Sequence, residues 1–284
     1  MIAFLGMGLL GSNFVRAMIN KGETVHVWNR TTSKAKALET YGAIAFENVA
    51  DAVSGADIIH LVVKDDAAVN EVLAAAEPGM KAGAFIIDHT TTSVDGAIER
   101  TNAWKAKGFT YLHAPVFMGP ANALESSGMM LVSGDQSVIA KAEQGLSKMT
   151  GHLINLGTKE GKAAALKLTG NLLLITLTAG LTDTLSFAKG VGIPVEEIKG
   201  LFDLWNPGAG LPARLQRMTS GDYDNPSWEL DMARKDAGLM LHEAKQHNAP
   251  LHIIPSIAKE MDRWIEMGFG NKDWTVIAKD VAGK

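Results

Sequence analysis

The sequence predicts an α/β fold in two domains. Residues 1–158 read as a doubly wound, mostly parallel sheet, and residues 159–284 as an all-helical domain reached through one long helix. Three observations carry this reading. A short apolar run, Ile2-Ala3-Phe4-Leu5, passes straight into Gly6-Met7-Gly8-Leu9-Leu10-Gly11 and then into a helix-like segment over 12–20. β-rich runs then alternate with helical segments of roughly ten residues as far as residue 155. Beyond residue 157 the strand signal stops, and 161–189 is one unbroken run rich in Ala and Leu.

The opening stretch organises the rest. Gly6 permits a tight turn, Gly8 has no Cβ to keep a pyrophosphate off the backbone, and Gly11 lets the helix pack close to the strand. The free N–H groups and positive dipole end of that helix then face a diphosphate. The position of the glycines between a strand and a helix points to a Rossmann-type dinucleotide-binding domain rather than an ordinary strand–helix turn. Gly6, Met7, Gly8, Leu9, Leu10 and Gly11 are expected against the cofactor.

Residues 24–28 alternate and read as the second strand. In the NAD-selective version of this fold an Asp or Glu at its end holds the ribose 2′-hydroxyl. Here Asn29-Arg30-Thr31-Thr32-Ser33-Lys34 stands in that place. Asn29 does not repel a 2′-phosphate, and Arg30, Thr31 and Lys34 can donate to one, Arg30 as a planar fork. The bland alternative is a solvated basic loop. The expectation is NADP(H) in preference to NAD(H).

Further strands are expected at 44–46, 57–63, 84–88, 109–113, 129–133 and 153–155, with helices at 67–76, 94–107 and 136–149. In the second domain Pro194 starts a helix, and 228–247 and 253–267 make two more. The run 161–189 is apolar around most of its circumference, which implies burial on several sides. One α/β domain and a few helices do not cover such a helix, so a homodimer is expected.

Composition bounds the function. Hydrophobic residues make up 46%, enough for a substantial core, and the net charge of −4 gives no basic footprint for nucleic acid or an anionic membrane. With no cysteine, thiol catalysis and thiolate metal sites are excluded. His242 and His247 are five apart on a predicted helix and do not face each other well, so no metal site is expected. The apolar stretch 172–185 is interrupted by Thr176, Thr178, Thr182, Asp183 and Thr184, and the N-terminus has no basic segment of the signal-peptide kind. The expected setting is cytoplasmic, with a small-molecule substrate and neither membrane nor nucleic acid as partner.

Lys167 and Asn171 are four residues apart on the long helix and project from one face, among Ala, Leu and Gly. A lysine on an apolar face is costly unless its charge is used, and desolvation lowers its pKa toward values useful for proton transfer. Spacing alone leaves two readings, a catalytic lysine or a surface lysine on a helix flank.

Four motifs in order resemble those of the β-hydroxyacid dehydrogenase family, 3-hydroxyisobutyrate dehydrogenase and its relatives, related to 6-phosphogluconate dehydrogenase. The glycine fingerprint and Asn29-Arg30-Thr31 resemble its cofactor segments. Asp88-His89-Thr90-Thr91 is similar to D-x-S-T, with Thr91 at the cofactor-contacting threonine. Gly161 to Asn171 resembles the family's lysine motif, which implies Lys167 as the catalytic group and Asn171 as its supporting amide. Lys235-Asp236 resembles K-D-L, whose lysine reaches cofactor and substrate. Val62, Val63 and Lys64 stand where the family approaches the nicotinamide, with Lys64 in place of a proline.

The chain departs from the pattern elsewhere. Ala163 and Gly170 replace a glycine and an asparagine of the lysine motif. Phe117-Met118-Gly119 replaces Ser-Gly-Gly, which in the family holds a substrate carboxylate. Either these three residues line an apolar substrate pocket or Phe117 and Met118 belong to the core of a shifted loop. The resemblance implies an NADP(H)-dependent oxidoreductase working on a carbonyl or alcohol carbon. Imine reduction and an NADP-binding scaffold without turnover are the alternatives.

Overall fold

The computed structural model describes residues 1–282. The chain divides into two compact units, Met1–Leu172 and Leu173–Lys284.

In the first unit six strands form a parallel sheet: β1 (Ile2–Leu5), β2 (Val25–Trp28), β3 (Ile44–Phe46), β4 (Ile58–Leu61), β5 (Phe85–Asp88) and β6 (Thr110–His113). Their order is β3-β2-β1-β4-β5-β6, so the winding reverses between β1 and β4. Both faces are covered, which is why the strands read as near-continuous apolar runs. Phe4 and Ile87 are buried in one core, Leu5, Ile59 and Ile86 in the other. The covering helices are α1 (Leu9–Asn20), α2 (Thr32–Lys36), α3 (Val49–Val53), α4 (Asp66–Ala76) and α5 (Val94–Ala106). Asn48, Asp65 and Ser93 cap α3, α4 and α5 through their side chains, which sets where those helices begin.

The Rossmann-type sheet expected from the sequence is present. The differences are local. The fourth strand ends at Leu61, so Val62 and Val63 lie in the loop beyond it. A second sheet orders β7 (Val116–Phe117), β8 (Met129–Val132) and β9 (His152–Asn155), with β7 antiparallel to β8, and α6 (Pro120–Glu125) follows β7. Neither β7 nor α6 is expected from sequence, because two residues carry no period and Pro120 reads as a loop signal. The short α2 and α3 are missed for the same reason of length. α7 (Gln136–Ser147) lies between β8 and β9.

The long helix, α8 (Lys162–Gly190), starts in the first unit. Gly161, with φ +73°, sits against Val94 and Ile98, and the Ala163 N–H donates to Ser133 Oγ at 3.0 Å. The expected boundary at 158 marks the end of the strand–helix alternation, whereas the compact unit runs on to Leu172 through these contacts. Among the described residues α8 does not receive the burial expected on several sides. Leu172, Leu174 and Ile175 are 60–68% exposed. By length and composition alone the helix would suffice to cross a membrane.

The second unit is helical: α9 (Val195–Leu204), α10 (Leu211–Ser220), α11 (Leu230–Gln246), α12 (Ile254–Trp264) and a final turn, α13 (Lys279–Ala282). Its core is built on Leu230, Ala237, Met261, Trp264 and Val276. The buried Asp183 of α8 accepts backbone N–H bonds from His252, Ile253 and Ile254, holding the start of α12.

Candidate functional site

A groove of about 680 Å³ opens at the carboxyl ends of β1, β2 and β4. This is the point where the winding of the sheet reverses, the usual ligand position in an open α/β sheet. The glycines explain its shape. Gly6 has φ +99°, and a Cβ there would lie 2.1 Å from the Val62 carbonyl oxygen. A Cβ on Gly11 would lie 2.0 Å from the Gly6 oxygen, so only glycine lets α1 sit on the turn. A Cβ on Gly8 would meet nothing within 4 Å. Gly8 therefore faces open space, and a side chain would fill the room a pyrophosphate needs.

The start of α1 is arranged for an anion. It has no side-chain cap and no acidic residue in its first turn. The Ser12 amide finds the Gly8 carbonyl at 3.0 Å, which leaves the earlier amides of Leu9, Leu10 and Gly11 for a ligand. These features fit the diphosphate of a dinucleotide.

Asn29 acts through its side chain as a clamp. Its Oδ1 accepts the Met7 N–H and its Nδ2 donates to the Thr31 carbonyl, both at 2.9 Å. Met7 is itself buried, so it shapes the turn rather than lining the groove. Arg30 lines the groove; Thr31 and Lys34 are exposed just beyond, the first as the N-cap of α2. Among the described residues neither Arg30 nor Lys34 has a carboxylate partner. Val62, Val63 and Lys64 form the facing wall, with Lys64 paired to Asp65 at 3.5 Å.

The turn after β5 supports that wall. The Val63 N–H donates to Thr90 Oγ1 at 3.1 Å, and the Thr90 N–H donates to Asp88 Oδ1 at 2.8 Å. Asp88 Oδ2 accepts the Tyr111 hydroxyl at 2.6 Å, which in turn accepts from Arg100 Nε at 3.1 Å. Arg100 also pairs with Asp66 at 2.8 Å. Thr91, half-buried, follows directly. The sequence marks Asp88 but not Tyr111, Arg100 or Asp66. The available signal was charge within apolar segments, since an Asp ending a buried strand requires a donor.

The lysine cluster lies where β7 meets the start of α8. Lys167 is buried, its Nζ donates to Asn171 Oδ1 at 2.9 Å, and its Nζ sits 4.2 Å from the centre of the Phe117 ring. A Cβ on Gly170 would come within 2.4 Å of that ring. Burial holds the lysine below its ordinary pKa. The ring face and the amide oxygen both favour the ammonium and oppose this.

The other two residues of the substrate motif behave differently. Met118 packs against the first core, and the Gly119 N–H is committed to Asn122 Oδ1 at 2.9 Å. Of the three, Phe117 alone is brought to Lys167. Lys235 lies exposed on α11 of the second unit, paired with Asp236 at 3.0 Å.

Comparison with known proteins places this geometry in context. The pattern that describes the NAD binding domain of 6-phosphogluconate dehydrogenase matches residues 1–157. An uncharacterized oxidoreductase of Shewanella frigidimarina is 30% identical over 89% of this chain and 88% of its own. The 3-sulfolactaldehyde reductase of Escherichia coli is 25% identical over 99% of this chain and 95% of its own. Among solved structures, an imine reductase from Myxococcus stipitatus in complex with NADP+ superposes with a TM-score of 0.91, covering 98% of both chains at 22% identity.

Proposed function

Because the chain belongs to the β-hydroxyacid dehydrogenase family, oxidoreductases that bind a nicotinamide cofactor, we propose that it moves a hydride between NADP(H) and the carbonyl or hydroxyl carbon of a small substrate, with Lys167 as general acid and base. The observation that carries this is the buried Lys167 with Nζ fixed on Asn171. Bound in the groove at Gly8, the nicotinamide cofactor supplies or accepts the hydride. Everything else falls to the chain's own side chains. In reduction the Lys167 ammonium donates a proton to the developing alkoxide. In oxidation its neutral amine takes the hydroxyl proton. Asn171 keeps Nζ in place, and Phe117 gives the site an apolar wall without the hydroxyl that would hold a carboxylate.

Imine reduction is the second reading, favoured by the apolar Phe117 and by the structural likeness to an imine reductase. Retention of Lys167 favours the carbonyl reaction, and the 3-sulfolactaldehyde reductase is a relative named for an aldehyde. A cofactor-binding scaffold without turnover is the third. One assay separates them: NADPH consumption with uncharged aldehydes and ketones, short semialdehyde acids and cyclic imines. The expected result is turnover of uncharged carbonyls. Turnover of imines alone selects the second reading, and no turnover with tight NADPH binding selects the third.

Cofactor preference rests on Arg30, exposed in the groove with no carboxylate partner among the described residues. NADPH should bind at least about tenfold tighter than NADH, worth ~1.4 kcal/mol, and Arg30→Ala should remove most of that difference. Equal affinities in the unmodified protein would overturn the assignment.

We read the exposed leucines of α8 as the face covered by a second copy of the chain in a cytoplasmic homodimer. Light scattering should then give a species of twice 30.3 kDa. A persistent monomer at micromolar concentration excludes the dimer.

A further inference from the structure

The first unit holds a second cavity, of about 720 Å³, over the amino ends of β1, β4 and β5 and beside α1 and α7. It is at the opposite end of the sheet from the groove at Gly8. Its walls are apolar, with Phe14 and Met18 from α1, Ile58 and Ile87 from the sheet, and Leu146 and Met149 from the α7 side. Within this lining stands His60, which is 4% exposed.

The hydrogen bonds fix the state of that histidine. His89 Nδ1 is 2.9 Å from the Ala114 carbonyl oxygen, which can only accept, so His89 carries its proton there and offers Nε2 as a lone pair. His60 Nδ1, 3.0 Å from that Nε2, must be the donor. His60 Nε2 is then a lone pair. It has no hydrogen bond among the described residues. Among the described residues His113 Nδ1 is fully enclosed without a hydrogen bond, and Arg100 Nη2 is enclosed with only the Asp66 carboxylate beside it. His60 Nε2 is not one of them, so it keeps contact with the free space of the cavity.

The rim is cationic. Lys21, Lys141 and Lys148 border the cavity and none forms an ion pair among the described residues. Lys21 reaches the Ser126 hydroxyl and the Lys148 carbonyl, which leave its charge uncompensated. Of the two acids on the rim, Asp57 is already held by Lys81 and the Met1 amino group, and Glu23 is the other.

We propose that this cavity is a ligand site separate from the cofactor groove, and that it takes an amphipathic anion. Its occupant has a compact aromatic body, a hydroxyl that donates to His60 Nε2, and a carboxylate that meets Lys21, Lys141 and Lys148. The volume falls within the usual range for small-molecule pockets, roughly 300–1,000 Å³.

The test uses para-hydroxyphenylpropionate as the probe, titrated calorimetrically into the full chain with and without excess NADPH. Saturable binding near one per chain is expected, unaffected by NADPH. Phenylpropionate, which lacks the hydroxyl, should bind about tenfold more weakly, and His60→Phe should abolish that discrimination. The surface pair Lys141→Gln/Lys148→Gln should remove the preference for the acid over its methyl ester. Absence of saturable binding overturns the proposal. So does displacement of the probe by NADPH, or equal binding by the unmodified chain and the lysine pair.

Discussion

Replacing Lys167 with alanine is expected to lower turnover by roughly 10²–10⁴-fold, the usual scale for a positioned acid–base group, while NADPH affinity stays within about threefold. The separation follows from where the residues lie. Lys167 is not among the residues that line the groove at Gly8; its contacts are Asn171 and Phe117. Steady-state kinetics with NADPH and an uncharged aldehyde, together with a fluorescence titration of the cofactor, give both numbers. Turnover like that of the unmodified chain would leave Lys167 a structural residue of the helix.

The same cluster fixes the sign of the pH dependence. Reduction needs the ammonium, so its rate is full below the pKa of Lys167 and is lost as pH rises through it. Oxidation needs the amine and has the opposite limb. Burial lowers that pKa from the ordinary lysine value, which moves both limbs toward neutrality. Removing the ring with Phe117→Leu deletes a cation–π contact worth ~0.5–2 kcal/mol and leaves the desolvation in place. The reduction limb should therefore move to lower pH in that variant.

Sequence legibility followed the range of the interactions. The glycine fingerprint is local: Gly6 makes the tight turn, Gly11 lets α1 pack on it, and no atom stands within 4 Å of a Cβ placed on Gly8. Lys167 and Asn171 are one helical turn apart, so their contact could be read from spacing. Phe117 and Gly170 could not be connected that way. Each looks like an independent departure, yet a Cβ at 170 would strike the Phe117 ring, so the two are one change in packing. Gly119 shows the converse: its motif position suggests a free amide, but Asn122 has taken it. The Asn29 side chain reads as a replacement for a carboxylate at the ribose, and its atoms are spent on Met7 and Thr31. Exposure of α8 was illegible for a different reason. An apolar circumference states that a helix avoids water, and says nothing of which chain covers it.

The histidines give the other large effect, and it falls on stability. His60 and His89 are buried in the sheet, stacked on each other at 5.2 Å and on Phe4 at 5.6 and 6.3 Å. Burial pushes both, and His113 beside them, below the ordinary imidazole pKa, His89 to about 4. Folded pKa values below the unfolded 6.5 mean that the unfolded chain binds these protons first. Stability is therefore full above about pH 6.5 and is lost as pH falls toward 4. For His89 alone the full loss is ~3 kcal/mol. Carboxylates held low, such as Asp57 and Asp273 at about 2, enter only at lower pH. Urea titrations between about pH 7 and pH 5 should thus show unfolding taking up about two or more protons, a slope of ~1.4 kcal/mol per pH for each. His89→Asn, whose amide can still donate toward the Ala114 oxygen, should flatten that slope by about one proton. An uptake below one proton in the unmodified chain would mean that these imidazoles are already charged, and the donor chain from His60 to Ala114 would have to be redrawn.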